Sequence, residues 1–107
     1  MNRTIIRNGR VIDPGQDLDQ VADILIEEGK IAGIGTDLGE AEQEIDASGN
    51  VVAPGLVDIH VQLREPGFEE DETIQTGTAA AIAGGFTSIA CLPNTSPVTD
   101  TQAQVQF

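Results

Sequence analysis

At Ala53-Pro54-Gly55 the sequence changes character, and that change constrains the fold more than any other feature. Before it, apolar residues come in short groups separated by turn-forming residues. Thr4-Ile5-Ile6 and Val11-Ile12 flank Asn8-Gly9, a dipeptide that tolerates positive φ at both positions and so predicts a two-residue hairpin. Asp13-Pro14-Gly15 breaks the strand that follows. Residues 21–27 alternate through Ile24 and Ile26, and Glu28-Gly29-Lys30 turns the chain into Ile31-Ala32-Gly33-Ile34. Further short strands are predicted over residues 44–46 and 51–53, on either side of Ser48-Gly49-Asn50. Closely spaced strands with glycine turns predict a small β-sandwich, or part of one, over residues 1–53.

After the break the pattern lengthens. Residues 56–61 are a near-continuous apolar run interrupted by Asp58 and His60, which reads as a buried parallel strand. Thr73 is placed to cap a helix over residues 74–83, which Gly84-Gly85 would stop. Residues 86–92 read as a second buried strand, Pro93-Asn94-Thr95-Ser96-Pro97 as a loop, and Asp100 onward as the start of another helix. Strand, helix, strand and helix start are the opening of an α/β barrel or of a doubly wound sheet. A complete barrel takes eight strands and about 250 residues. Residues 54–107 are therefore expected to be an incomplete, truncated piece of such a layer structure.

Composition narrows the partners. Five basic residues against 18 acidic ones give a net charge of -13, which repels phosphate backbones and anionic lipid, so neither nucleic acid nor a membrane is an expected partner. No stretch has the length of a membrane span, and the N-terminus lacks the apolar run of a signal peptide. A lone cysteine, Cys91, has no partner for an internal disulfide, which fits a reducing compartment and makes the cytoplasm the expected location. Its apolar neighbours predict a small buried core residue.

The chemistry-bearing segment runs from Asp58 to Gly67. On an extended strand, Asp58, His60, Gln62 and Arg64 share one face by period-two alternation. In a barrel that face is the interior, and the C-terminal end of the strand is where sites are built. Four polar residues pointing inward are costly unless ligands satisfy them. Spacing alone leaves other roles open: a single histidine more often satisfies a hydrogen bond than a metal. Arg64 has Glu65 and Glu69 within reach as surface partners, and Asn94 is a natural turn former.

Pro54-Gly55-Leu56-Val57-Asp58-Ile59-His60, followed by Leu63-Arg64-Glu65-Pro66-Gly67, closely resembles the signature of the dihydroorotase family. So does Ala83-Gly84-Gly85-Phe86-Thr87 leading into Pro93-Asn94-Thr95 and Pro97-Val98-Thr99-Asp100, and Ile6-Arg7-Asn8-Gly9 to Asp13-Pro14 resembles the start of the amidohydrolase β-sandwich. The resemblance implies an α/β protein: part of a small β-sandwich over residues 1–53, then the first strands and helix of a TIM-type (β/α)8 barrel over 54–107. It also implies a zinc-dependent conversion between carbamoyl-aspartate and dihydroorotate in pyrimidine biosynthesis. His60 would be a zinc ligand, and Arg64 and Asn94 match the positions that hold the substrate carboxylate, for which a guanidinium fork is well shaped. Gln62, Arg64 and Asn94 are thus the expected substrate-binding residues. No catalytic residue is expected within these 107 residues, because the remaining ligands and the catalytic aspartate belong to later barrel strands.

Gln62 departs from the family pattern, which has histidine there, and an amide oxygen is a poor zinc ligand beside imidazole. Three accounts stay open: a single or weakened metal site, ligation through the amide oxygen, or a non-catalytic relative that serves as a structural partner of aspartate carbamoyltransferase. The expected partners are accordingly the small-molecule substrate, aspartate carbamoyltransferase in the last account, and further copies of the chain in a homo-oligomer. The 107-residue chain by itself is expected to be inactive and prone to association.

Overall fold

The first strand, β1 (Arg3–Asp13), organises everything before Pro54 in a computed structural model that describes residues 2–106. It pairs antiparallel with β2 (Leu18–Glu27) and parallel with both β4 (Gln43–Asp46) and β5 (Val51–Val52). β3 (Lys30–Gly35) adds to the far side of β2, giving the order β3-β2-β1-β4 with β5 also on β1. The chain divides into two compact units, Met1–Pro54 and Gly55–Phe107.

Asn8-Gly9 does not make the expected hairpin. β1 runs straight through it with a bulge, and the register slips between Ile6 and Gly9. Asn8 takes a φ of 64°, its N–H donating to Asp23 Oδ1 at 3.0 Å. A two-residue turn there would fold the strand back on itself, whereas two parallel partners need it extended. The bulge has a second effect, because one extra residue moves every later side chain to the other face. Val11 thereby joins Ile6 and Ile24 on one face, where Val11, Ala22 and Ile24 form a buried cluster backed by Leu18, Ile26, Ile34 and Val52. Gly9 is required by closeness as well: a Cβ on it would stand 2.5 Å from Val52 Cγ2. On the opposite face Ile5 is fully buried and pairs with Leu25.

The other turns follow the sequence. Asp13 accepts the Gly15 N–H at 3.1 Å and opens a short 3-10 turn over Pro14–Gln16. Glu28 and Gly29 both adopt positive φ, as a two-residue hairpin needs. Among the described residues the strands of this unit form one five-stranded mixed sheet.

The second unit contains β6 (Leu56–Val61), α1 (Ile74–Ala83), β7 (Phe86–Cys91) and α2 (Gln102–Gln106). β6 and β7 pair parallel, with α1 as the crossover. Thr73 caps α1: its hydroxyl accepts the Thr76 N–H at 3.1 Å, and its own N–H donates to the Thr76 hydroxyl at 3.0 Å. Gly85, at a φ of 88°, ends it. The strands themselves are not buried as expected. Val57 is 63% exposed, Ile59 78% and, on α1, Ile82 72%, while Cys91 is exposed rather than a core residue. A parallel pair is buried only when layers cover both of its faces, and one crossover helix does not supply them.

Candidate functional site at the ends of two parallel strands

Because β6 and β7 run parallel, the segments that leave their C-terminal ends lie side by side. Leu92 N–H donates to Val61 O at 2.8 Å, and Ser96 N–H to Pro66 O at 2.9 Å. The contact is close enough that a Cβ on Gly67, whose φ is 105°, would stand 2.5 Å from the Ser96 carbonyl oxygen. Leu63 anchors the first segment underneath. It is the one buried residue of this unit among the described residues, and a Cβ on Gly77 of α1 would reach its Cδ2 at 2.6 Å. The second segment is tied internally: Thr95 Oγ1 donates to Pro97 O at 2.7 Å and lies 2.7 Å from Thr99 Oγ1.

These two segments and the end of β6 carry the residues singled out in the sequence. His60 lies within β6 and is exposed, its backbone N–H donating to Asp58 Oδ1 at 3.0 Å. Gln62 is exposed just past the strand, and Asn94 is exposed in the segment after β7. Among the described residues none of the three side chains makes a hydrogen bond, so each is free to meet a ligand. The expected four-residue column holds only in part. β6 ends at Val61, and Arg64 sits in the left-handed region at a φ of 65°, so strand alternation does not govern where its side chain goes. A non-glycine residue held there is strained, and such strain is found where a surrounding structure fixes a functional side chain.

Arg64 pairs with neither Glu65 nor Glu69. Its guanidinium lies 4.5 Å from the centroid of the Phe68 ring, and Nη2 is 3.7 Å from Asp71 Oδ2. Glu65 instead accepts the Ile74 N–H at 2.7 Å, placing a negative charge at the N-terminus of α1, where it is favourable. Glu69 accepts the Gly67 N–H at 2.9 Å, and that bond, with one from its own backbone, holds its carboxyl below the usual range. Phe68 and Asp71 are partners that sequence reasoning missed. Neither lies on a periodic element, and the four-residue spacing from Arg64 to Phe68 acquires meaning only through the turn that the Phe68 N–H closes on Arg64 O at 2.9 Å.

A cavity of about 280 Å³ lies beneath the two segments, lined by Leu63, Pro66, Cys91, Leu92 and Thr95 among others. None of His60, Gln62, Arg64 or Asn94 lines it. Among the described residues no group of three or more His, Cys, Asp or Glu side chains comes together, and the residue alternate to His60 is a neutral amide. The residues of this chain do not fit a zinc centre by themselves; His60 is the one imidazole they offer.

The family described as Dihydro-orotase-like matches residues 49–107. A dihydroorotase from Syntrophotalea carbinolica is 56% identical over 106 residues, covering 98% of this chain and 25% of that protein. One from Solibacter usitatus is 59% identical over 97 residues, covering 90% and 23%. Among solved structures, an L-hydantoinase (dihydropyrimidinase) from Arthrobacter aurescens superposes with a TM-score of 0.79 at 35% identity, over 99% of this chain and 24% of that one. A D-hydantoinase does so with 0.76 at 39% identity, over 87% and 20%. The chain thus spans about a quarter of the length of the curated relatives it matches.

Proposed function

This chain belongs to the dihydro-orotase-like family, and from that premise we propose that the whole protein carrying it is a cyclic amidohydrolase that interconverts dihydroorotate and carbamoyl-aspartate in pyrimidine biosynthesis. The observation that carries the reading is the pair of joined segments at the ends of β6 and β7, which present Arg64 and Asn94 beside a parallel-strand terminus. That is where α/β enzymes collect their ligand-binding residues. Arg64 binds the substrate carboxylate through its fork, and Asn94 adds a neutral donor to the same group. Gln62, with a free amide, meets the substrate from the mouth of β6. The substrate is small and anionic, as a guanidinium site in an otherwise acidic unit requires.

Zinc belongs to this reading through the family resemblance, with His60 as this chain's contribution and every other ligand supplied by residues beyond it. Residues 1–53 as a sandwich portion and 54–107 as the opening of a barrel belong to it too, as do assembly of several copies and a cytoplasmic location. Among the described residues no helix is long and apolar enough to cross a membrane.

One observation favours a second reading. Gln62 stands where the family pattern has histidine, and an amide oxygen is a poor zinc ligand beside imidazole. On that reading the whole protein is a non-catalytic dihydroorotase-like subunit that scaffolds aspartate carbamoyltransferase. Dihydroorotate hydrolysis by the whole protein with zinc supplied, run beside Gln62→His, decides between them. Turnover by the unaltered protein supports the enzyme. Recovery only in Gln62→His places the defect at the metal face, and silence from both supports the scaffold.

A further inference from the structure

Arg64 is the only lysine or arginine between residues 55 and 107, a stretch that also carries Asp58, Glu65, Glu69, Glu70, Asp71, Glu72 and Asp100. An anionic ligand approaching this unit meets a repulsive surface with a single attractive point, so what sits on that cation governs binding. Two groups sit on it, and both come from the turn that Arg64 itself begins. The Phe68 ring stacks 4.5 Å from the guanidinium carbon, while Asp71 faces Nη2 from 3.7 Å. The turn is closed by the Phe68 N–H on Arg64 O at 2.9 Å and by the Asp71 N–H on Phe68 O at 3.0 Å.

The two contacts differ in kind. A stacked ring attracts the cation through its face and leaves the in-plane N–H fork open to a carboxylate. A carboxylate at 3.7 Å lies beyond good hydrogen-bond distance, and the Asp71 side chain is 68% exposed, so this pair is weak and exchangeable. We propose that Phe68 and Asp71 are positioning residues for Arg64. The ring fixes the plane of the guanidinium, and the Asp71 carboxylate is a resident counter-anion that an incoming substrate carboxylate replaces. This rests on the reading of Arg64 as the carboxylate-binding residue. One anion is exchanged for another, so the site never exposes an uncompensated cation, and Asp71 sets how strongly an anion must bind to enter.

The test is the affinity of the whole protein for dihydroorotate brought to equilibrium with its ring-opened form, measured by calorimetry, with the carboxamide analogue of dihydroorotate as a neutral probe. Asp71→Asn removes the competitor and tightens dihydroorotate binding about two- to fourfold. The gain shrinks at high salt, and the carboxamide is unaffected. Phe68→Leu weakens binding about two- to fivefold, and Phe68→Tyr restores it. An Asp71→Asn protein with unchanged or weaker affinity overturns the proposal, as does an equal shift for the carboxamide or the absence of any dihydroorotate binding. Arg64→Met separates the two levels. If it leaves affinity unchanged, the carboxylate-binding role falls and the positioning roles fall with it. If it weakens binding while Asp71→Asn and Phe68→Leu do nothing, only the positioning roles fall.

Discussion

The two units of this chain are nearly equal in length but solve the burial problem differently. Among the described residues every buried apolar residue except Leu63 lies before Pro54, all but Ala47 of them on β1 and β2. Arg3, Arg7 and Arg10 there each hold a carboxylate, at 3.2 Å to Glu27, 3.2 Å to Asp23 and 2.7 Å to Glu44, and 2.8 Å to Asp19. Large apolar residues stay more than half exposed in both units, Val21 and Ile31 in the first and Val57, Ile59 and Ile82 in the second. Beyond Gly55, however, only Leu63 among the described residues is buried, and local hydrogen bonds at caps and turns do most of the organising. An apolar residue in a sequence says only that it would gain from cover. Whether it is covered depends on which layers are present.

The sharpest way to break this contrast is to delete equivalent side chains on each side of it. Ile5→Ala removes a fully buried group and should cost about 2–5 kcal/mol, enough to abolish hydrogen-exchange protection across β1 and β2. Ile59→Ala, at a residue 78% exposed, should change this chain's stability by less than about 0.5 kcal/mol. Comparable losses at the two positions would mean that the second unit has a core of its own.

If local geometry rather than burial organises the second unit, Gly67→Ala should be the most damaging small substitution there. It forces a side chain onto a φ of 105° and against the Ser96 carbonyl, a cost of about 1–3 kcal/mol, visible as lost exchange protection at the Ser96 amide. Thr73→Ala follows, at about 1 kcal/mol, with fraying confined to the first turn of α1 in amide exchange. Intact protection at the Thr76 amide in that variant would show that the cap contributes nothing.

Acid sharpens the comparison with the smallest effect. Arg10 holds the Asp19 carboxyl below its ordinary value, Arg7 does so for Glu44, the Arg3 backbone N–H for Glu42, and the Ser48 hydroxyl and N–H for Asp46. In the second unit Glu69 is so held, by the Gly67 N–H. A carboxyl lowered in the folded state stabilises fully above its unfolded value, about 4, and loses that contribution as pH falls through the folded one. Lowering the pH through that window should therefore weaken protection in β1 and β2 more than in β6 and β7. Equal weakening in a residue-resolved exchange series would show the ion pairs to be idle.

Where a short stretch dictates its own conformation, the sequence was readable. Thr73 caps a helix, Gly85 ends it, and Glu28-Gly29 turns a hairpin, each for reasons contained within a few residues. The misreadings all involve distant partners. Asn8-Gly9 has every local mark of a turn, but β4 and β5 arrive from more than thirty residues away and need β1 extended. Cys91 sits in an apolar run whose cover is not local, and it stays exposed. At the candidate site, the strand-end location of His60 and Gln62 was legible from alternation. The left-handed turn that pairs Arg64 with Phe68 and Asp71 was not, because a single residue leaving the β region erases the periodicity on which such reading depends.

The parallel pairing of β1 with β4 and β5 also has a consequence for how this chain is made. β1 leaves the ribosome before β4 and β5, yet two of its hydrogen-bonding partners are Gln43–Asp46 and Val51–Val52. Residues 3–35 can form a meander as they emerge, but one long edge of β1 stays open until Val52 is synthesised. Closing that edge spans a loop of some forty residues, an entropic cost met late and all at once. Synthesis proceeds at about 5–20 residues per second, so the opening strand waits seconds for its neighbours. During that time its unpaired edge is held extended by β2 alone, and the Asn8-Gly9 bulge that breaks its regularity guards it, with Arg3, Arg7 and Arg10, against pairing with the wrong chain.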